Sequence, residues 1–259
     1  MRFPASLAVA CRKGGVGKSA LVGSLASELA SRGVPVTVAD LDPQGSVSRW
    51  LGHGRTDSGE LGRCLLEGES VASLVVASRV PGVRILPADA DLAAAEQRGA
   101  SIPDALGFAV DALESIVEAD GVLLIDTAPS VGLWTSAALC ACAFALVPVS
   151  AEPAGVEPLP DTLRLIERIQ RRRPLRLLGV VANRVDRRLR HTDAILEHLA
   201  RECGPRLCAS TLPTSGDLVA AMGEHRPADP SSSFGRAIVA LVDELALRAS
   251  TDHGQAHAT

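Results

Sequence analysis

Seven residues near the start, Lys13-Gly-Gly-Val-Gly-Lys-Ser19, restrict the possible folds more than any other part of the chain. An apolar run from Leu7 to Cys11 precedes them and a helical segment, Ser19 to Ser31, follows. Strand, glycine-rich turn and helix in this order make a phosphate-binding loop. Gly14, Gly15 and Gly17 lack a Cβ, so their backbone N–H groups can close around phosphate oxygens while the helix aims its positive end at the same anion. Lys18 is placed against the β- and γ-phosphates, and the Ser19 hydroxyl on Mg²⁺. The predicted contact set is Gly14, Gly15, Val16, Gly17, Lys18, Ser19 and Ala20. The usual G-x-x-x-x-G-K-[ST] spacing would put glycine at position 12, where Arg12 stands. A second lysine, Lys13, lies five residues before Lys18.

Composition agrees with this start. Apolar residues make up 47% of the 259 and aromatic residues only 2%, with no tyrosine. The core must therefore be built from Val, Leu, Ala and Ile, which suits parallel strands covered by helices on both faces. Apolar runs alternate with amphipathic stretches throughout, predicting a doubly wound α/β fold with a mostly parallel sheet. Strands are expected at 6–11, 34–40, 83–87, 121–125, 143–149, 176–182 and 206–209. Helices are expected at 18–31, 101–118, 132–142, 155–171, 190–202, 215–223 and 233–248. The stretch 52–80 reads as an excursion outside the sheet. One domain is expected over 1–249, with a disordered polar tail at 250–259.

The first apolar stretch is too short for a signal peptide, and no run approaches a membrane span. The six cysteines form no CxxC pair and are expected to be reduced and mostly buried. A formal net charge of −4 predicts no nucleic-acid partner from bulk charge, so any such surface must be local.

Three further strand ends carry polar side chains. The second strand runs into Asp40-Leu-Asp42-Pro-Gln-Gly45, with two carboxylates alternating where open α/β sheets keep their ligands. Such acids can hold Mg²⁺ through waters or orient an attacking water; a solvated strand end or a helix cap is the alternative. Val122-Leu-Leu-Ile125 closes on Asp126, the form of a Walker-B strand whose carboxylate stands behind the metal, or simply a helix cap. Leu177 to Ala182 runs into Asn183, whose amide can hydrogen-bond a purine through both C=O and NH₂ or serve an ordinary turn.

Taken together, Lys13 to Ser19, Asp40 to Gly45 and Ile125-Asp-Thr-Ala-Pro129 resemble the ParA/MinD family of deviant Walker ATPases, with the short Soj-like partition branch the better match. The likeness continues through Leu86-Pro-Ala88, Ala151 to Gly155, Leu212-Pro213 and the final helix, about residues 5–248. It implies a P-loop NTPase fold that binds ATP and Mg²⁺. Lys13 then matches the signature lysine that reaches the partner subunit's phosphates in an ATP-sandwich homodimer. The resemblance makes Lys13, Lys18 and Asp42 the catalytic set, with Asp42 orienting the hydrolytic water and Asp40 supporting it. Ser19, Asp40 and Asp126 become the metal set, and Asn183 and Pro213 fall in adenine-contacting segments. Hydrolysis would be slow and stimulated by a ParB-like or cargo-adaptor partner, in a cytoplasmic, nucleoid-associated protein without membrane attachment.

Departures from the family pattern count as well. Ala128 replaces the first of two prolines usual after the Walker-B acid. No amino-terminal helix-turn-helix region precedes the loop, so operator-specific binding is not expected. Thr214-Ser-Gly-Asp217 stands where partition relatives carry DNA-binding arginines. Against this, ten arginines lie between Arg164 and Arg190 with two acids, Glu167 and Asp186. Phosphate neutralisation there would give non-specific, salt-sensitive binding to double-stranded DNA, with Arg188 the preferred contact beside Arg184 and Arg187. A nucleotide switch like MinD, or an adaptor without DNA binding, is the competing reading. The carboxy-terminal Ala-Leu-Arg-Ala-Ser argues against a MinD-like membrane helix, and the helical setting of Cys140 and Cys142 against an iron–sulfur reductase.

Overall fold

Side chains along each central strand alternate between two separate cores. The computed structural model describes residues 3–251. Strand β1 (Ser6–Val9) sends Leu7 and Val9 to one face and Ala8 to the other. The same alternation holds in β2 (Val36–Leu41), β5 (Val122–Thr127) and β6 (Phe144–Ser150). Being covered on both sides, these strands read as nearly unbroken apolar runs rather than alternating ones. With β3 (Val76–Ala77), β4 (Val83–Leu86) and β7 (Arg176–Asn183), they form a seven-stranded sheet of order β3-β4-β2-β5-β1-β6-β7. Every pairing is parallel except the antiparallel β3–β4 edge.

One face is covered by α1 (Lys18–Ser31), α2 (Ser46–Trp50), α10 (Gly216–Gly223) and α11 (Ser233–Thr251). The other carries α3 (Glu60–Glu67), α4 (Leu92–Gly99), α5 (Ala105–Glu114), α6 (Leu133–Ala141), α8 (Leu159–Gln170) and α9 (Thr192–Cys203). A short α7 (Pro153–Val156) precedes α8. The chain leaves β1 toward β2 on one side and later continues through β6 and β7 on the other. Its crevice therefore opens at the carboxyl ends of β1 and β5, where such sheets bind ligands.

Several boundaries differ from expectation, each for a local reason. Residues 52–80 are not wholly outside the sheet, because β3 adds an antiparallel edge to β4 and α3 packs on the second core. The helix expected at 155–171 is two helices, broken between Val156 and Leu159, with Pro158 as the cap of the second and Pro160 tolerated in its first turn. No strand forms at 206–209: Gly204–Arg206 is a 3₁₀ turn holding Pro205, and only Leu207 bridges to Val180. Helices α2 and α4 were not expected. Pro148 is tolerated inside β6 because it faces the β1 side beyond the last β1 residue, so no ladder bond is lost. Helix α11 runs to Thr251, so Ser250 and Thr251 are helical; the remainder of the expected tail lies outside the described residues.

Candidate nucleotide-binding site

The loop between β1 and α1 turns on two left-handed glycines, Gly15 at φ 77° and Gly17 at φ 89°. Gly17 is also the cap of α1, so the first N–H groups of a fourteen-residue helix open into the loop. A Cβ at Gly17 would lie 2.3 Å from Asn183 Nδ2, while one at Gly14 would only graze Pro129 at 4.0 Å. The β7 end is thus pressed against the loop, and only glycine fits between them.

Lys18 is buried, with Nζ donating to the Lys13 carbonyl at 3.1 Å, which folds it back across the loop. Burial lowers its pKa, opposed by the negative fields of Asp126, Cys11 and Asp42. An ammonium held beside the free N–H groups at the start of α1 is matched to an anion. Lys13 lies on the outside, its Nζ donating to the Ala154 carbonyl in α7.

Asp126 is fully buried at the end of β5, and neither carboxylate oxygen has a hydrogen-bond partner. Burial pushes its pKa well above the usual carboxylate range, and the Asp40 charge adds to this. The Ser19 hydroxyl, near but outside hydrogen-bonding geometry, and the Lys18 charge pull it back. A buried carboxylate without donors carries a large desolvation cost. A divalent cation between Asp126 and the Ser19 hydroxyl would relieve it, and hard oxygen ligands on few side chains suit Mg²⁺. Asp126 and Ser19 therefore fit the predicted metal site.

Asp40 does not present itself in that way. It pairs in register with Asp126 across β2 and β5, but its Oδ1 accepts from the Asp42 N–H at 3.1 Å. Its Oδ2 accepts from Ser48 twice, from the N–H at 2.9 Å and from the hydroxyl at 2.6 Å. Both oxygens of Asp40, expected in the metal set, accept hydrogen bonds from the turn at 42–48, which leaves any hold on a metal to run through waters. Burial raises its pKa to about 6, against the pull of those hydrogen bonds. Asp42 uses Oδ1 to cap the Gln44 N–H at 2.9 Å and sits 8% exposed at the crevice rim.

Asn183 is brought to the loop rather than left at a turn: Nδ2 donates to the Val16 carbonyl at 2.8 Å and Oδ1 accepts from Arg184 N at 2.8 Å. Those bonds engage the two atoms expected to read a purine. Pro213 bridges to Val185 just beyond, beside a depression of about 510 Å³ that also includes Arg187 and Arg188.

The three predicted DNA arginines separate. Arg184, left-handed at φ 56°, turns its guanidinium back to the Gly15 carbonyl at 3.0 Å, with Glu152 at 3.8 Å. Arg187 faces Asp193 at 3.8 Å, and Arg188 forms a two-pronged pair with Asp186 at 2.8 and 2.6 Å. Arg184 is the loop residue that sequence reasoning misplaced; its position directly after Asn183 was the available signal. Ser48, which links Asp40 to the Ala88 N–H at 3.0 Å, carried no motif at all. Arg12, in the place of the usual glycine, pins the loop to α8 through Asp161 and through its own N–H on Thr162 Oγ1 at 3.3 Å.

A glycine loop on a doubly wound sheet, a buried lysine and an orphaned acid behind a serine together define a P-loop nucleotide-binding protein. Sequence comparison makes this specific. Residues 5–177 match a family described as AAA domain. The chain is 34% identical to the chromosome partitioning protein ParA of Caulobacter vibrioides over 213 residues, 80% of this chain and 79% of that one. It is 32% identical to the chromosome-partitioning ATPase Soj of Thermus thermophilus over 234 residues, 87% of this chain and 90% of that one. Among solved structures, cobyrinic acid a,c-diamide synthase from Mycobacterium smegmatis, with bound ATP analogue and magnesium, superimposes with TM-score 0.75 at 29% identity, covering 85% of this chain and 92% of that chain. The chain belongs to the ParA/MinD family of P-loop ATPases, close to its Soj-like ParA branch.

Proposed function

We propose that this protein is a ParA-type partition ATPase: it binds ATP with Mg²⁺, forms an ATP-sandwich homodimer and hydrolyses the nucleotide slowly under the control of a partner. The buried Asp126, with no hydrogen-bond partner behind Ser19 and Lys18, is the observation that carries this reading, because a bound cation would relieve its desolvation while Lys18 and the loop amides receive the anion that comes with it. Loop amides and Lys18 grip the phosphates, and Ser19 and Asp126 hold the metal, which supplies positive charge against the phosphate oxygens. Asp42, with one oxygen left free by its turn, orients the attacking water. Lys13 exchanges its bond to the Ala154 carbonyl for the partner subunit's phosphates. Both sequence matches are named for chromosome partitioning, which supports a DNA or protein cargo here, a ParB-like or adaptor protein as the stimulus, and a cytoplasmic, nucleoid-associated location. No helix among the described residues is long and apolar enough to cross a membrane.

A second reading is a nucleotide-switched adaptor that does not bind DNA. The acid partners of Arg187 and Arg188, and the inward turn of Arg184, favour it. Size-exclusion chromatography of Asp42→Ala with ATP and Mg²⁺ tests the shared part: a stable dimer is expected, and a monomer at saturating nucleotide contradicts the sandwich. Lys18→Ala should no longer bind a fluorescent ATP analogue.

A further inference from the structure

The ten arginines of 164–190 fall into groups with different surroundings. Arg164 pairs with Asp161, and Arg184, Arg187 and Arg188 each have an acid neighbour. Arg168, Arg171, Arg172 and Arg173, at the end of α8 and the turn after it, are exposed and form no ion pair among the described residues. They surround one concavity of about 430 Å³ between α5, α6 and α8. Its floor is apolar, built from Leu106, Leu165 and Ile169, and Leu106 remains 39% exposed. Arg173 and Cys140 of α6 both line the concavity, and the Arg173 charge offsets part of the upward push that burial gives that thiol. Glu167, the only acid between Arg164 and Arg176, lines a different groove beside Arg176 and Arg206.

We propose that this pocket docks an acidic segment of a partner protein, with an apolar side chain entering the floor and flanking carboxylates meeting the arginines. Charge complementarity argues for an anion: four unpaired guanidiniums stand together on a chain whose net charge is −4. Guanidiniums meet carboxylates in a two-pronged geometry, so several around one pocket discriminate as well as attract. The floor decides between anions. A duplex presents a convex row of phosphates, which makes no use of three aliphatic side chains lining a hollow. An acidic peptide with one Leu, Phe or Met uses both parts, an apolar anchor within a charged rim. The site is also joined to the phosphate loop by its own helix, since Asp161 and Thr162 of α8 hold Arg12.

Fluorescence anisotropy on the full chain, without nucleotide, tests this with a labelled panel of synthetic peptides that flank one Leu, Phe or Met with Asp and Glu. At least one should bind wild type, and the double variant Arg171→Glu/Arg172→Glu should weaken it about tenfold, two exposed charge-assisted pairs being reversed. Leu106→Gln should weaken the same peptide several-fold, and Arg171→Lys/Arg172→Lys, which keeps the charge but loses the two-pronged fork, should weaken it by less than the charge reversal does. All three substituted positions are exposed, so thermal melts should stay unchanged and separate lost binding from lost fold. No binding by any peptide, equal binding to wild type and the charge-reversed variant, or a random duplex that displaces the peptide and is itself lost on charge reversal, would each overturn the proposal.

Discussion

Gly17 combines a left-handed backbone with a neighbour that cannot give way. Its φ of 89° strains any side chain, and Asn183 Nδ2, held on the Val16 carbonyl, would sit 2.3 Å from the new Cβ. Gly17→Ala should cost at least about 2 kcal/mol in urea unfolding and abolish nucleotide binding, through backbone strain and overpacking together. Asp126 predicts the opposite sign for stability. Its folded pKa lies above the ordinary 3.8, so the folded apo protein holds this proton more tightly than the unfolded chain. That contribution is fully present below the ordinary value and is lost as pH rises toward the folded value. Asp126→Asn removes the loss, so melting of the apo variant against wild type should show a stability gain that widens with rising pH. The same variant should forfeit the extra stabilisation wild type gains from ATP with Mg²⁺. An apo variant less stable than wild type at neutral pH would refute the orphan carboxylate.

At the scale of elements, the turn from Asp40 to α2 is one hydrogen-bonded unit. Ser48 donates to Asp40 from both its N–H and hydroxyl and accepts from Ala88, tying β2, α2 and the end of β4 together. Ser48→Ala removes the hydroxyl from a fully buried position and leaves the Ala88 N–H unmatched. A loss of about 1–3 kcal/mol is expected from denaturant curves. ATP hydrolysis should slow more than ATP binding weakens, because Asp42 is carried on this turn. Helix α8 is a second such element. Its amino-terminal half holds Arg12 and its carboxyl-terminal turn carries the arginine pocket, so Pro158, the cap of α8, sets where one rigid rod begins.

For the whole molecule, the question is whether surface charge suffices for DNA. Local acids offset much of the arginine-rich stretch that a sequence count makes so basic. Asp186 is held at a pKa of about 2 by the two-pronged Arg188 bond, so the pair is ionised at any physiological pH. If ParA-type DNA binding operates here, Arg188→Glu should lower affinity for random duplex and flatten its salt dependence by about one unit of slope, leaving ATP binding intact. An unchanged gel shift and salt slope would place DNA contact elsewhere or favour the adaptor reading.

The chain order alone determined the sheet and the loop. Unbroken apolar runs and a glycine-rich turn are local signals, and Lys18, Ser19 and Asp126 stand at the strand ends where those signals put them. Tertiary structure decided what side-chain partners do. Asp40 was read as a metal acid because alternation places it on the ligand side, yet Ser48, eight residues on, claims its oxygens. Arg184 looked like one of a basic run until the β7 end closed on Gly15, 169 positions away. The strand at 206–209 and the single helix at 155–171 failed where prolines and sheet edges override propensity. Hydrogen-bond capacity and charge are settled by whichever groups the fold brings within three ångströms, and that distance is not written in neighbouring residues.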